Sequence, residues 1–191
     1  MTANDLGSAL LAIARSAIAG SLGLGGTAGA THAELSRLAA TFVTLKMHDE
    51  LRGCIGTLEA FRPLSQDVRE NAIGAAFRDP RFRPLTAAEF EATSVEVSLL
   101  SASESLGVAA EDELLARIRP GCDGLTLEYG RHRATFLPQV WDQLADPQDF
   151  VTALKRKAGL PADFWHPRIA VSRYQVTKWA ESAPLLAGAR S

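Results

Sequence analysis

Thr41-Phe42-Val43-Thr44-Leu45-Lys46-Met47, then His48-Asp49-Glu50, then Leu51-Arg52-Gly53-Cys54-Ile55-Gly56-Thr57-Leu58 carry the strongest fold signal in the chain. The first run alternates β-branched and aromatic residues with others, as a strand does. The polar triplet reads as a turn and the second run as the return strand of a hairpin. Outward from this hairpin, residues 93–100 (TSVEVSLL) place Val95, Val97 and Leu99 on one face and Ser94, Glu96 and Ser98 on the other. Residues 124–129 and 133–137 form a second strand pair around Gly130, and residues 169–179 (IAVSRYQVTKW) read as one late strand.

Helices are expected between these hairpins. Leu6, Leu10, Ile13, Ala14, Ala17 and Ile18 recur at helical spacing. A Gly-rich stretch at 20–29 (GSLGLGGTAG) ends that helix as a flexible loop reaching to about residue 30. Residues 63–79 open on Pro63, which suits a first turn, and Pro80 and Pro84 break the helix behind them. Thr86-Ala87-Ala88-Glu89 has the spacing of a capping box. A helix is expected over 111–119, and another begins at Asp146-Pro147 and stops at Gly159. Strands and helices do not alternate at regular length. The expectation is an α+β fold, a largely antiparallel sheet built from hairpins with flanking helices, plus a small second lobe.

The chain has 191 residues, 47% hydrophobic and 22% charged, which suits one domain with a real core. Its formal charge is −2. A dedicated nucleic-acid binder is usually basic, so nucleic acid is not an expected partner. The charge is uneven: residues 1–150 net −7 and residues 151–191 net +5. The basic tail meets either the protein's own acidic groups or an acidic partner. Two cysteines, Cys54 and Cys122, make no disulfide framework. The N-terminus lacks a basic region before its apolar part, so no signal peptide or membrane anchor is expected, and the cytoplasm is the expected compartment.

Chemistry concentrates at Arg52-Gly53-Cys54-Ile55-Gly56. In an extended strand Arg52, Cys54 and Gly56 share one face, and Leu51, Gly53 and Ile55 the other. A thiolate is the reactive form of cysteine, and a neighbouring cation favours it. Arg52 supplies a permanent charge, and Gly56 leaves room for a ligand. The alternative is a small buried hydrophobe at Cys54, with Arg52 paired to a carboxylate. Asp79 and Arg81 either line the same pocket or pair with each other at the end of the helix. His48, His132 and His166 have no fixed relation to Cys54, and no pair of histidines has metal-ligand spacing. No metal and no cofactor are expected.

Several segments together resemble the AMMECR domain family, known in prokaryotes as AmmeMemoRadiSam system protein A. They are Phe42-Val43-Thr44-Leu45, Leu51-Arg52-Gly53-Cys54-Ile55-Gly56, Asp79-Pro80-Arg81-Phe82, Val95-Glu96-Val97-Ser98-Leu99-Leu100 and Thr135-Phe136-Leu137-Pro138-Gln139-Val140-Trp141. The resemblance spans nearly the whole chain. It implies an intracellular α+β protein and, as partners, a Memo-like (extradiol-dioxygenase-like) protein and a radical-SAM protein. It also implies a functional cleft at Arg52, Gly53, Cys54 and Gly56, with Asp79, Arg81, Thr135 and Pro138 attached to it. Two functions follow as expectations. In one, the chain is an enzyme or enzyme component that holds a small anionic or carbonyl-bearing substrate against Cys54 and Arg52. In the other, it is a non-catalytic scaffold for those partners.

Overall fold

The computed structural model describes residues 3–25 and 30–182. In chain order the elements are α1 (Ala3–Ser21), β1 (Leu38–Ala39), β2 (Thr41–Met47), β3 (Glu50–Gly56), β4 (Arg62–Pro63), α2 (Leu64–Phe77), α3 (Ala87–Glu91), β5 (Thr93–Leu100), β6 (Glu104–Ser105), α4 (Glu111–Arg117), β7 (Gly124–Tyr129), β8 (His132–Phe136), α5 (Pro147–Lys157), β9 (Ala170–Tyr174) and β10 (Val176–Ala180). Every strand pairing with a defined register is antiparallel, so the expected α+β class holds. The chain forms two compact units, Met1–Leu100 with Thr177–Ser191 and Ser101–Val176.

In the first unit the sheet order is β10-β5-β2-β3. The β2–β3 hairpin turns through His48 (φ 54°) and Asp49 (φ 64°). Two left-handed residues in a row make the turn whose twist matches that of paired strands. Helix α2 packs on β2 and β3, and α1 packs on α2 and β5. The apolar positions read from the sequence build this core: Leu10, Ala14, Ile18, Leu64, Val68, Ala72, Val95 and Val97 are buried. A buried polar knot crosses the core edge. Asp67 accepts from Thr41 N–H (2.8 Å), the Thr41 hydroxyl (2.6 Å), the Thr57 hydroxyl (2.8 Å), Asn71 Nδ2 (2.9 Å) and Arg62 Nε (2.8 Å). A fully buried carboxylate is tolerated because every lone pair finds a donor. The knot ties α2 to the start of β2 and the segment after β3.

The second unit has sheet order β6-β9-β7-β8. Its core includes Leu125, Leu127, Phe150, Val151 and Leu154. Trp141 stacks on Phe150 with ring centroids 3.8 Å apart. Lys155 is buried and paired with Glu111 at 2.7 Å, so both ends of that ion pair are satisfied as burial demands.

Three expectations are corrected by tertiary contacts. Helix α1 runs past Gly20 to Ser21, and the Ser21 hydroxyl bonds back to Ala17 O (2.9 Å). Residues 26–29 of the Gly-rich loop lie outside the described residues. Pro63 precedes α2 rather than entering it, and sits instead in β4, opposite Leu38. The expected late strand over 169–179 is two strands. Gln175 interrupts it, its N–H bonded to the Ser101 hydroxyl (3.0 Å) and its carbonyl to Ser101 N–H (2.9 Å). Its two halves serve different sheets: β9 pairs with β6 and β7, and β10 lies beside β5. Alternation shows that a segment is extended but not which partner it takes.

The capping signals survive intact. Thr86 and Glu89 close a full capping box on α3, and Asp146 accepts from Gln148 N–H and Asp149 N–H ahead of Pro147. Among the described residues no helix is long and apolar enough to cross a membrane. Three basic side chains of the C-terminal stretch have acidic partners inside their own units. Lys155 pairs with Glu111 and Arg173 with Glu104, while Lys178 lies 3.9 Å from Glu96.

Candidate functional site

Strand β3 is a sheet edge, so one side of its backbone needs partners other than a strand. Its register with β2 runs Phe42↔Gly56, Thr44↔Cys54 and Leu45↔Gly53, then shifts to Lys46↔Leu51. Arg52 is the extra residue of a bulge, and a bulge upsets strict alternation. Leu51, expected in the core, is exposed instead.

The two glycines of the motif are packing positions in this structure. A Cβ on Gly53 would stand 2.2 Å from Ala75 O of α2, so only glycine lets strand and helix come this close. A Cβ on Gly56 would stand 2.2 Å from the Phe42 ring. The room expected over Gly56 is therefore filled by Phe42, which walls the site beside Cys54.

Arg52 does not present its charge to the thiol as the alternation implied. It is 8% exposed. Its guanidinium donates to both Glu89 oxygens (3.2 Å each) and to Arg83 O (2.9 Å). Glu89 also accepts from Thr86 N–H (2.9 Å) in the capping box. Arg52 foremost, then Thr86 N–H, holds the Glu89 carboxyl down at about 2. Arg52 thus pins the bulge to the start of α3.

The cation that reaches Cys54 is Arg81. Asp79, 4% exposed, accepts from Cys54 N–H (2.9 Å), Arg81 N–H (3.1 Å), Arg81 Nε (3.0 Å) and Arg81 Nη2 (2.7 Å). Arg81 Nη2 also approaches Cys54 O at 3.4 Å. The Asp79-Pro80-Arg81 turn thus covers the edge of β3 at Cys54, carboxylate to N–H and guanidinium to carbonyl. The Arg81 guanidinium, before the two backbone amides, holds the Asp79 carboxyl well below the usual carboxylate range. The Arg81 pKa is raised, mainly by Asp79 and slightly by Cys54 itself. The Arg81 side chain is 54% exposed, so its charge remains available to a ligand.

Cys54 is partly buried and not disulfide-bonded. Its Sγ accepts from the Thr44 hydroxyl at 3.3 Å. Thr44 stands opposite Cys54 on one side and Glu96 of β5 on the other. Glu96 pairs with Lys46 Nζ (3.2 Å) and lies 3.9 Å from Lys178 Nζ. A thiol, a hydroxyl, a carboxylate and two ammonium groups therefore line the sheet face opposite the buried Val43, Leu45, Val95 and Val97. Register delivers this row, and a single sequence does not print register. The one visible hint was Glu96 pointing outward in TSVEVSLL.

The remaining expected site residue, Thr135, lies in the second unit on β8. Its hydroxyl donates to Leu125 O (2.9 Å) and meets Tyr174 Oη at 3.0 Å, and Thr126 donates to it at 3.1 Å. Pro138 opens a short 3-10 helix in the same unit. His48 is exposed in the hairpin turn. His132 Nδ1 lies 2.9 Å from Ala158 O, and His166 Nδ1 accepts from Arg168 N–H. Among the described residues no three His, Cys, Asp or Glu side chains converge as metal ligands.

The AMMECR1 family model matches residues 11–179. Protein MJ0810 of Methanocaldococcus jannaschii is 41% identical over 137 residues, covering 71% of this chain and 68% of that protein. A protein of Methanothermobacter thermautotrophicus is 43% identical over 136 residues, covering 70% of this chain and 71% of its own length. A Thermofilum pendens relative, 42% identical over 137 residues, is covered over 64% of its length and 71% of this one. The crystal structure of uncharacterized protein PH0010 from Pyrococcus horikoshii superposes with a TM-score of 0.76 at 32% identity, covering 92% of this chain and 91% of that one. With a match that runs from the first helix to Trp179 and takes in β3 together with its Asp79–Arg81 cover, this chain belongs to the AMMECR1 family.

Proposed function

We propose that the chain is an enzyme, or the substrate-holding component of one, that applies the Cys54 thiol to a small anionic or carbonyl-bearing substrate. The observation that carries this reading is the company of the sulfur. A hydroxyl donates to it at 3.3 Å, and a half-exposed guanidinium, fixed by a buried carboxylate, meets the carbonyl of the same residue at 3.4 Å. In the step this arrangement serves, the sulfur lone pair forms an S–C bond to the substrate carbonyl carbon. The carbonyl π pair moves onto oxygen, where Arg81 offsets the charge.

The test uses the Cys122→Ser protein, so that Cys54 is the single thiol. Iodoacetamide labelling measures its reactivity. Arg81→Gln should lower the rate at neutral pH about tenfold. A rate unchanged in Arg81→Gln, or no faster in the folded than in the urea-unfolded protein, would sink the proposal.

A second reading makes the chain a partner or scaffold for a Memo-like and a radical-SAM protein, as the family resemblance implies. Leu38, Leu58 and Phe61 favour it, being exposed large apolar side chains on the β1–β4 ribbon and the loop entering it. Binding to a purified Memo-like protein that is lost in Phe61→Asp and kept in Cys54→Ala would select this reading over the first.

A further inference from the structure

Within the second unit, β6 and β9 pair only briefly. Their register runs Glu104↔Arg173 and Ser105↔Ser172, and the last rung is Leu106 N–H to Val171 O (2.9 Å). The two segments then part, and each is fixed by bonds of its own. On one side Gly107 turns the chain with φ 55°. Arg117 Nη1 donates to Leu106 O (2.7 Å), Ala109 N–H to Glu113 (2.9 Å) and Trp165 Nε1 to Ala109 O (2.8 Å). On the other side His166 accepts from Arg168 N–H at Nδ1 (3.1 Å) and from Ile169 N–H at its carbonyl (2.9 Å). Val108 and Ile169 belong to the core. A slot of about 420 Å³ is left between residues 107–109 and 167–171, within the size range of small-ligand sites.

Arg168 is the one charged residue lining the slot. It is exposed, and its guanidinium lies over the Tyr129 ring, 5.9 Å from the centroid. Tyr129 is in turn packed against Phe164 (5.1 Å) and His166 (5.3 Å). Arg168 forms no ion pair among the described residues. Carboxylates beside the walls are already engaged: Glu113 with Ala109 N–H, and Glu128, opposite Ala170, with Arg133 at 2.9 Å. Apart from Ser105, the other lining side chains are apolar or, at Gly107, absent. One guanidinium balances one negative charge, and apolar walls favour an apolar body. We propose that the slot binds a small aliphatic monocarboxylate, its carboxylate on Arg168 and its chain against Val108, Ala109 and Pro167. The site lies wholly in the second unit and does not depend on the role of Cys54.

Amide NMR of the full chain tests this at constant ionic strength, with butyrate as the probe and acetate, butyramide and inorganic phosphate beside it. Butyrate should shift the Gly107, Ala109 and Ala170 amide signals along a saturable curve. Each methylene from acetate to butyrate should tighten binding about two- to fourfold. Butyramide should bind about tenfold more weakly than butyrate, and Arg168→Gln should bring butyrate down to that level. Arg168→Lys should fall between. Ala170→Leu keeps the charge and fills the slot, and should also weaken butyrate about tenfold. Arg156→Gln, the same charge change on an exposed position of α5, should leave binding as it was. An equal loss in Arg156→Gln would mean bulk charge and overturn the site. Acetate or phosphate binding as well as butyrate would reduce it to an exposed arginine attracting any anion, and overturn it too. Shifts that grow linearly without saturating, or that persist unchanged in Arg168→Gln or in Ala170→Leu, do the same.

Discussion

Strands β3 and β8 are both sheet edges, and each has a carbonyl taken by a cation, Cys54 O by Arg81 and Thr135 O by Lys157. The likeness ends there. On β8 the Thr135 hydroxyl is enclosed by Leu125 O, Thr126 and Tyr174, and burial raises the Tyr174 pKa, so the phenol stays neutral. On β3 the covering groups are a buried carboxylate and an exposed guanidinium on the backbone, and the side chain at that position, the Cys54 thiol, accepts from one hydroxyl. Two edges protected alike at the backbone thus differ at the side chain. What separates the two is whether the side chain at the covered position already has its full set of partners.

The largest predicted effect separates the two covers. Asp79→Ala strips the acceptor from Cys54 N–H and unpairs Arg81, and should cost about 2–3 kcal/mol by urea unfolding. Lys157→Met at the other edge should stay within about 0.5 kcal/mol. Equal costs would mean that the buried carboxylate is no more than a surface cap.

A smaller contrast lies within β3 itself. Gly53→Ala drives a methyl into the Ala75 carbonyl of α2, a backbone atom that cannot step aside, and should cost about 2–3 kcal/mol. Gly56→Ala meets the Phe42 ring, a partly exposed side chain that can turn away, and should cost about 1 kcal/mol. The reverse order of unfolding midpoints would show that the strand–helix approach is looser than the geometry requires.

The smallest effect is in acid. Asp79 and Glu89 both titrate lower in the folded chain than when unfolded, where ordinary values are 3.8 and 4.5. A depressed carboxylate stabilises the fold fully above its unfolded pKa, and that contribution is lost as the pH falls toward the folded value. Stability should therefore drop between about pH 5 and about pH 2. Glu89→Gln should lessen the drop by only about 0.5 kcal/mol, because the Glu89 side chain is 32% exposed. Urea midpoints at neutral and acid pH measure it, and an unchanged acid slope in Glu89→Gln would remove the Arg52–Glu89 pair from the account.

Local signals in the sequence were legible and long-range ones were not. The Thr86–Glu89 box, the Asp146-Pro147 start and the Leu10–Ile18 stripe depend on neighbours three or four residues away, and each stands where it was read. The bulge at Arg52 depends on how β3 meets β2, and the break at Gln175 on which sheet has a free edge. Asp67 looked like any acidic residue in a first helical turn, yet it gathers donors from Thr41, Thr57, Arg62 and Asn71. At the site, Cys54, Asp79 and Arg81 were visible as residue types. Thr44 and Glu96 were not, because only the strand register puts them in the same row. For Arg52 the sequence left two readings open, a charge beside the thiol or a pair with a carboxylate, and could not single out Glu89, 37 residues away.

The first unit is built from two pieces of chain, with the whole second unit strung between β5 and β10. During synthesis the ribosome therefore releases everything from α1 to β5, then all of the second unit, and only afterwards the strand that brings Trp179 onto Gly7 and Glu181 onto Arg15. Until then β5 waits with a raw flank and the first helix with an unroofed patch. The earlier-born unit is thus the one whose chain is completed last: β5 gains β10 at its side only once residues 176–180 have been made.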